Sequence, residues 1–117
     1  MKITNLQGIS FINAVNESMK GKHLPVRIAF AIKQNYSLIM ETQIKPYEET
    51  RVELIKKYEK EDGNTKLVEE LNSLLQEESD LAIKCVDIAE LEKLDIDPSY
   101  DKLSLSDIDA IGFMISE

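Results

Sequence analysis

The chain has 117 residues, a mass of 13.3 kDa, 43% hydrophobic residues and a formal net charge of -8. This length suits one domain, so we expect residues 1–117 to form a single unit in the cytoplasm of the host cell, and no apolar run approaches the roughly 20 residues that span a bilayer. One Cys and one His exclude an internal disulfide and a zinc site with four Cys/His ligands from one chain.

The first element is a short extended segment, Lys2 to Thr4, followed by a predicted helix over 6–19. Asn5 stands at the position of a helix cap, and apolar residues recur after it at helical spacing. Gly21 suits the end of this helix.

A long helix is predicted from Pro25, which fits the first helical position because its missing N–H is not needed there. Its apolar positions continue to Tyr58. Pro46 interrupts the pattern, since an interior proline removes one backbone hydrogen bond and costs roughly 3 kcal/mol. We expect a kink near residues 42–46, or else two helices with Pro46 opening the second.

The segment Asp62-Gly63-Asn64 ends this helix, with Gly63 in the left-handed conformation. Leucines at helical spacing predict a third helix over 65–78, antiparallel to the preceding one. The two together form a helical hairpin.

Residues 81–88 alternate and are rich in β-branched side chains, which predicts a strand. The candidate partners are residues 1–4 and 94–96. Ser104 and Asp107 form a predicted capping box that opens a C-terminal helix through Met114. The expected fold is α+β, with a long kinked helix in a hairpin, a two- or three-stranded sheet and a C-terminal helix.

Charge is distributed unevenly, because residues 1–47 carry a net +4 and residues 48–117 a net -12. The two parts either neutralise each other in the fold or leave an acidic surface for a basic partner. The candidate partner-binding residues are Glu69, Glu70, Glu77 and Glu78. The alternative is a solvated face on which these acids pair with Lys56, Lys57 and Lys60 or Lys45.

A basic group in the first half, Lys20, Lys22 and Arg27 with Lys33 nearby, is a candidate pocket for a small anion. The acidic balance argues against direct binding of nucleic acid. Glycine-rich phosphate loops are absent from the sequence, and we expect no cofactor.

The string from Asp95 to Asp101 has oxygen ligands at alternate positions, as at the start of a calcium loop. Such a loop needs a glycine where this sequence has Tyr100 and a bidentate acid where it has Ser106. We therefore expect a polar turn and no metal site. We likewise expect His23 to be a solvated loop residue and Cys85 to be a buried, inert thiol.

Several motifs resemble those of small phage and prophage proteins of unknown function from Gram-positive bacteria. They are Leu24 to Asn35, preceded by Thr4-Asn5-Leu6, then Tyr47-Glu48-Glu49-Thr50-Arg51, Glu70 to Leu75 and Phe113-Met114-Ile115. The similarity covers nearly the whole chain, and it assigns no catalytic residue to any position of this sequence. It implies a phage-borne accessory protein that acts on a host system.

We expect a non-enzymatic protein that binds, and inhibits, a host or phage protein through its hairpin and acidic half. Two alternatives stay open: an oligomeric sponge that sequesters a nucleotide immune signal, and a virion-assembly protein. Self-association is compatible with each, because the apolar positions of the long helix are numerous enough to contact two neighbours.

Overall fold

The computed structural model describes residues 1–60 and 63–116. Its α-helices are Asn5–Glu17 (α1), Val26–Ile39 (α2), Lys45–Tyr58 (α3), Thr65–Gln76 (α4), Ile88–Ile96 (α5) and Leu105–Ile111 (α6). Short 3-10 helices, Met19–Gly21 and Gly112–Met114, follow α1 and α6, and a π-helical segment, Met40–Ile44, joins α2 to α3. The strands are Lys2–Thr4 (β1), Glu78–Asp80 (β2), Val86–Asp87 (β3) and Ile115–Ser116 (β4). The predicted α+β class, hairpin and C-terminal helix are confirmed.

The strands form two separate sheets of two strands each, where the sequence predicts one. β1 pairs antiparallel with β2, placing Ile3 opposite Ser79. β3 pairs in parallel with β4, placing Val86 opposite Ile115. The first sheet ties the amino terminus to the end of α4, and the second ties the last helical turn to the start of α5.

The predicted strand over 81–88 is wrong for most of its length, because residues 81–85 are neither strand nor helix. The amide of the buried Asn35 replaces a strand partner here. Its Nδ2 donates to the Lys84 carbonyl at 2.9 Å, and its Oδ1 accepts from the Lys84 N–H at 2.7 Å. One buried side chain thereby satisfies both backbone groups that a ladder would otherwise pair.

The prediction of 94–96 as a strand is also wrong, since these residues end α5. Asp87 caps this helix by accepting the Ala89 N–H at 2.9 Å. Asp87 followed three residues later by Glu90 is a helix-start signal that the alternation upstream concealed.

Helix α1 begins one residue earlier than predicted and has a different cap. Thr4 and Gln7 form the capping box, each side chain bonding the other's backbone N–H. Asn5 is instead buried, and its Nδ2 donates to the Leu74 carbonyl at 2.7 Å. The predicted cap residue therefore holds α1 against the end of α4.

The long helix runs from Val26 to Tyr58 and contains the irregularity predicted around Pro46. It is not split into two helices, because residues 40–44 adopt π-helical geometry and the Lys45 N–H bonds the Met40 carbonyl. Thr42 Oγ1 also donates to the Leu38 carbonyl at 2.6 Å, a bond that tends to bend helices. The π-segment accommodates a proline that an unbroken α-helix would exclude.

The other predicted helix ends agree with the structure to within two residues, except that the C-terminal helix predicted through Met114 is α-helical only to Ile111 and continues as a 3-10 helix. Gly63 has φ +88°, as predicted for a left-handed position, and α4 follows it. Asp62, the first residue of that predicted turn, lies outside the described residues. Ser104 and Asp107 form the predicted capping box of α6.

The core lies between α1, α2 and the carboxyl-terminal segment. Phe11, Ile28, Ile39, Ile111 and Met114 are at most 1% exposed within it. The ring of Phe11 meets that of Phe113 edge to face, with the centroids 5.3 Å apart.

We call α3 and α4 the arm and the remaining described elements the body. α3 contains no buried residue and α4 only Leu74. The described chain measures 57 × 24 × 20 Å, and its radius of gyration is 16.8 Å, against about 13 Å for a compact chain of this length. The arm therefore extends away from the body. None of the helices in the described residues is long and apolar enough to cross a membrane.

Candidate functional site

The two helices of the arm pack along an apolar line and leave part of it uncovered. The helices α3 and α4 contact each other, and Leu54 and Tyr58 of α3 and Leu67 and Leu71 of α4 are half-buried. Three more apolar side chains of the arm are exposed, namely Val52 at 43%, Ile55 at 37% and Val68 at 50%. Ile55 and Val68 continue the apolar spacing of α3 and α4 in the sequence, yet the structure leaves both side chains exposed.

One side-chain hydrogen bond joins the two helices of the arm near its tip. Tyr58 Oη donates to Glu70 Oε1 at 2.8 Å. This bond to the Glu70 carboxylate, followed by burial, raises the pKa of the Tyr58 hydroxyl above its ordinary value. The Lys57 ammonium lies 5.2 Å from the centre of the Tyr58 ring.

Two of the four predicted partner-binding acids lie on the arm, and the other two follow it directly in the chain. Glu69 and Glu70 lie in the middle of α4, with Glu69 exposed and Glu70 turned toward Tyr58. Glu77 and Glu78 are exposed at the end of α4 and in β2, eight residues further on. Three exposed carboxylates thus remain available to a partner.

The alternative interpretation of these acids requires ion pairs with lysines of the preceding helix. Within residues 1–60 and 63–116, no ion pair joins α3 to α4, and Lys45 instead pairs with Glu41 at 2.8 Å. The predicted salt-bridged face is therefore not formed in the described part of the arm.

The base of the arm is fixed to the body through the π-segment. Gln43 is 2% exposed, and its Nε2 donates to the Ile3 carbonyl at 2.9 Å. Its Oε1 has no hydrogen-bond partner in the described structure and lies against Gly8 of α1. A Cβ at Gly8 would overlap that oxygen, so a larger residue at position 8 would require the buried Gln43 amide to shift.

The predicted anion-binding residues are only partly brought together. Lys20, Lys22 and Lys33 line a cavity of about 550 Å³ between the end of α1 and α2, over a floor of Val15, Met19, Leu24 and Ile32. Arg27 lies apart, in a groove of about 380 Å³ with Phe30 and Lys84.

Lys22 is tied to the carboxyl-terminal segment. Its Nζ donates to the Lys102 carbonyl at 2.7 Å and lies 3.5 Å from Asp107 Oδ2. Asp107 Oδ2 also accepts from Ser18 Oγ at 2.9 Å and from the Ser104 N–H at 3.2 Å. Burial alone would raise the pKa of Asp107, but these hydrogen bonds and the Lys22 charge outweigh it and lower the pKa.

The string from Asp95 to Asp101 forms a turn. Asp97 Oδ1 accepts from both the N–H and the hydroxyl of Ser99, at 2.9 and 2.7 Å, which lowers the pKa of Asp97. The Asp101 carboxylate accepts the His23 N–H, and the His23 ring stacks on Tyr100 at 5.1 Å. Among the described residues, no group of three or more His, Cys, Asp or Glu side chains is placed to hold a metal ion.

The prediction for Cys85 is wrong, since its side chain is exposed and not buried. The strand alternation that would turn it inward is absent, because residues 81–85 are not in a strand. Its Sγ is 4.0 Å from the Ile83 carbonyl, and it lines the groove that contains Arg27.

Comparison of the chain with protein-family models, with curated proteins and with solved structures finds no match. A proposal for this protein therefore depends on its own residues.

Proposed function

We propose that this chain is a non-enzymatic, phage-encoded protein that binds a host or phage protein through its arm and the acidic residues that follow α4, and thereby inhibits it. The observation that carries the proposal is the exposure of the arm. Its first helix buries no side chain, and its exposed residues include both apolar and acidic ones. A two-helix projection that contributes little to the core of its own fold is typical of a docking element.

The acidic residues suit the recognition of a basic partner. Glu69, Glu77 and Glu78 are exposed and accept no side-chain ion pair within the described residues. Exposed, unpaired carboxylates increase the rate of encounter with a positively charged protein surface and disfavour binding to an acidic surface. The phage resemblance of the sequence makes a protein of the bacterial host the expected target.

The test is a capture experiment from host lysate with two matched variants. The first carries Glu69→Lys, Glu77→Lys and Glu78→Lys, and leaves Glu70 to accept the Tyr58 hydrogen bond. The control carries Glu92→Lys, Asp95→Lys and Asp109→Lys, which reverse the same number of exposed charges on α5 and α6. A protein retained by the wild type and the control but lost by the first variant supports the proposal. Equal capture by both variants, or by neither, contradicts it.

A second candidate function is the binding of a small anion, such as a nucleotide immune signal. The observation that favours it is the cavity of about 550 Å³, because Lys20 and Lys33 line it without a salt bridge in the described structure. A ligand present at 100 times its Kd adds about 2.7 kcal/mol of stability. Thermal unfolding with cyclic nucleotides and ADP-ribose derivatives therefore tests it, with Lys20→Glu/Lys33→Glu as the unresponsive variant.

A further inference from the structure

The outer side of α3 and its C-cap residue carry a stripe of five exposed residues that repeats every three or four positions. They are Lys45, Glu48, Val52, Lys56 and Glu59. At about 100° of rotation per residue, this spacing keeps all five within less than a quarter of the helix circumference. We call this set the α3 stripe. It lies away from the line along which Leu54 and Tyr58 contact α4.

The charges of the α3 stripe are arranged symmetrically about Val52 with opposite signs. Lys56 and Glu48 each lie four residues from Val52, and Glu59 and Lys45 each lie seven residues from it. An antiparallel copy aligned on Val52 places Lys56 opposite Glu48 and Glu59 opposite Lys45, twice over. A parallel copy in register would instead place like charges opposite each other, which is unfavourable.

These charges have weak partners, or none, within the described chain. Lys56 and Glu59 form no ion pair there. Glu48 is 3.7 Å from Arg51, and Lys45 is 2.8 Å from Glu41, but both of these pairs are exposed. Exposed pairs between residues three or four apart contribute little to stability, so a better partner on another chain readily replaces them. The α3 stripe is therefore free to make contacts between molecules.

Apolar side chains continue from the α3 stripe onto one side of the arm. The helical spacing of two antiparallel helices turns Ile55 and Val68 to the same side, next to Val52. The opposite side carries polar residues such as Thr50 and Lys66. An antiparallel second hairpin covers the exposed apolar residues of both copies, as in a four-helix bundle.

We propose that a second copy of this chain occupies this side of the arm. The two arms pack antiparallel as a four-helix bundle, with the two-fold axis passing beside Val52 and the two bodies at opposite ends. The inference rests on the proposed function in so far as it takes the arm to be the docking element. It assigns the apolar side of the arm to the second copy and leaves Glu69, Glu77 and Glu78 to the partner protein.

The first test is the mass in solution of wild type and charge variants, by sedimentation equilibrium over a range of concentrations. Wild type is expected to reach twice the 13.3 kDa of one chain. Lys56→Glu and Glu48→Lys each place like charges across the axis and are expected to weaken association at least about tenfold. The double variant Glu48→Lys/Lys56→Glu restores the opposite signs and is expected to restore the dimer.

The double variant is diagnostic because Glu48 and Lys56 are eight residues, or about 12 Å, apart on one helix and cannot pair within a chain. Lys66→Glu makes the same change of charge as Lys56→Glu on the polar side of the arm, so it should associate like the wild type. The proposed antiparallel register is overturned if the double variant does not dimerise like the wild type, or if Lys66→Glu weakens association as much as Lys56→Glu does.

A second measurement tests the axis without changing a charge. In a Cys85→Ser background, Val52→Cys places two thiols beside the two-fold axis and is expected to form a disulfide between chains on mild oxidation. Thr50→Cys in the same background lies on the far side and should stay reduced. A wild type that is monomeric at every concentration, or cross-linking of both variants to the same extent, overturns the proposal.

The two proposals fail separately. A monomer that still captures a partner sensitive to the Glu69, Glu77 and Glu78 substitutions overturns the dimer alone. If the double variant restores the dimer but no such partner is captured, the dimer is supported and only the proposed function is overturned.

Discussion

At the scale of single residues, Asp107 connects three separate parts of the body. Its carboxylate accepts hydrogen bonds from Ser18 after α1 and from Ser104 before α6, and lies 3.5 Å from the Lys22 ammonium. The residue is 2% exposed, and loss of its charge would replace charge-assisted hydrogen bonds by weaker neutral ones and remove the attraction to Lys22. We therefore expect Asp107 to stabilise the joint between α1, the 3-10 turn after it and α6.

Asp107→Asn is expected to lower the free energy of unfolding by about 1–3 kcal/mol at pH 7. Because the pKa of Asp107 is lowered in the fold, its charged form stabilises the protein above the unfolded value of about 3.9, and this contribution is lost as the pH falls through the native pKa. Urea denaturation at several pH values should show the gap in free energy of unfolding between Asp107→Asn and wild type closing below about pH 4. Asp109→Asn, exposed on the same helix, is the control, and a gap independent of pH would contradict the assignment.

At the scale of elements, the contact between α1 and the π-segment fixes where the arm leaves the body. The extra residue of a π-helical turn lets Gln43 point inward to the Ile3 carbonyl, while Pro46 follows on the surface. Gly8 provides the space that this side chain fills. The direction of the arm thus depends on one glycine and one buried amide.

Gly8→Ala is expected to destabilise the fold by about 1–3 kcal/mol, although alanine is favoured over glycine in helices by about 1 kcal/mol. The new Cβ would displace the Gln43 amide and leave the Ile3 carbonyl unpaired. Combined with Gln43→Ala, which opens the space, Gly8→Ala should cost much less than it does alone. Urea denaturation of the two single variants and the double variant measures this coupling.

Gly112→Ala serves as the control for this experiment, since a Cβ there meets no atom within 4 Å. We expect it to leave stability unchanged or to raise it slightly. If Gly8→Ala behaved in the same way, the close approach of α1 to the π-segment would be wrong.

The elements also show which parts of the fold the sequence can predict. Helical periodicity and capping residues locate α1, α2, α3, α4 and α6, because these signals are local. The error over 81–88 has a non-local cause, since Asn35, 49 residues before Lys84, supplies the hydrogen bonds that a strand would supply. Alternating side chains cannot reveal that a buried amide replaces the neighbouring strand.

The candidate site divides in the same way. The sequence identifies the acids in and directly after α4 and the basic residues beside the cavity, because their charges are visible in it. It does not show that Ile55 and Val68 are exposed, since the same spacing describes a helix packed on two neighbours and a helix packed on one. Only the arrangement of the arm relative to the body distinguishes the two cases.

At the scale of the whole molecule, burial is concentrated in the body, and the arm has few contacts to protect it. The hydrophobic core includes residues of α1, α2, α5 and α6 but none of α3 among its buried members. Free energies of local opening follow buried apolar contacts, so the arm and the body should open separately.

Amide hydrogen exchange tests this difference directly. In dilute protein, amides of α3 and of the first half of α4 are expected to exchange on the order of 100 times faster than those of α1 and α2. A second copy on the arm would cover Val52 and Ile55, so raising the protein concentration should slow exchange in α3 while leaving α1 unchanged. Lys56→Glu should abolish that dependence on concentration, and the double variant with Glu48→Lys should recover it. Uniform protection from α2 through α3 in dilute protein would show that the arm is stabilised as strongly as the core, contrary to its burial.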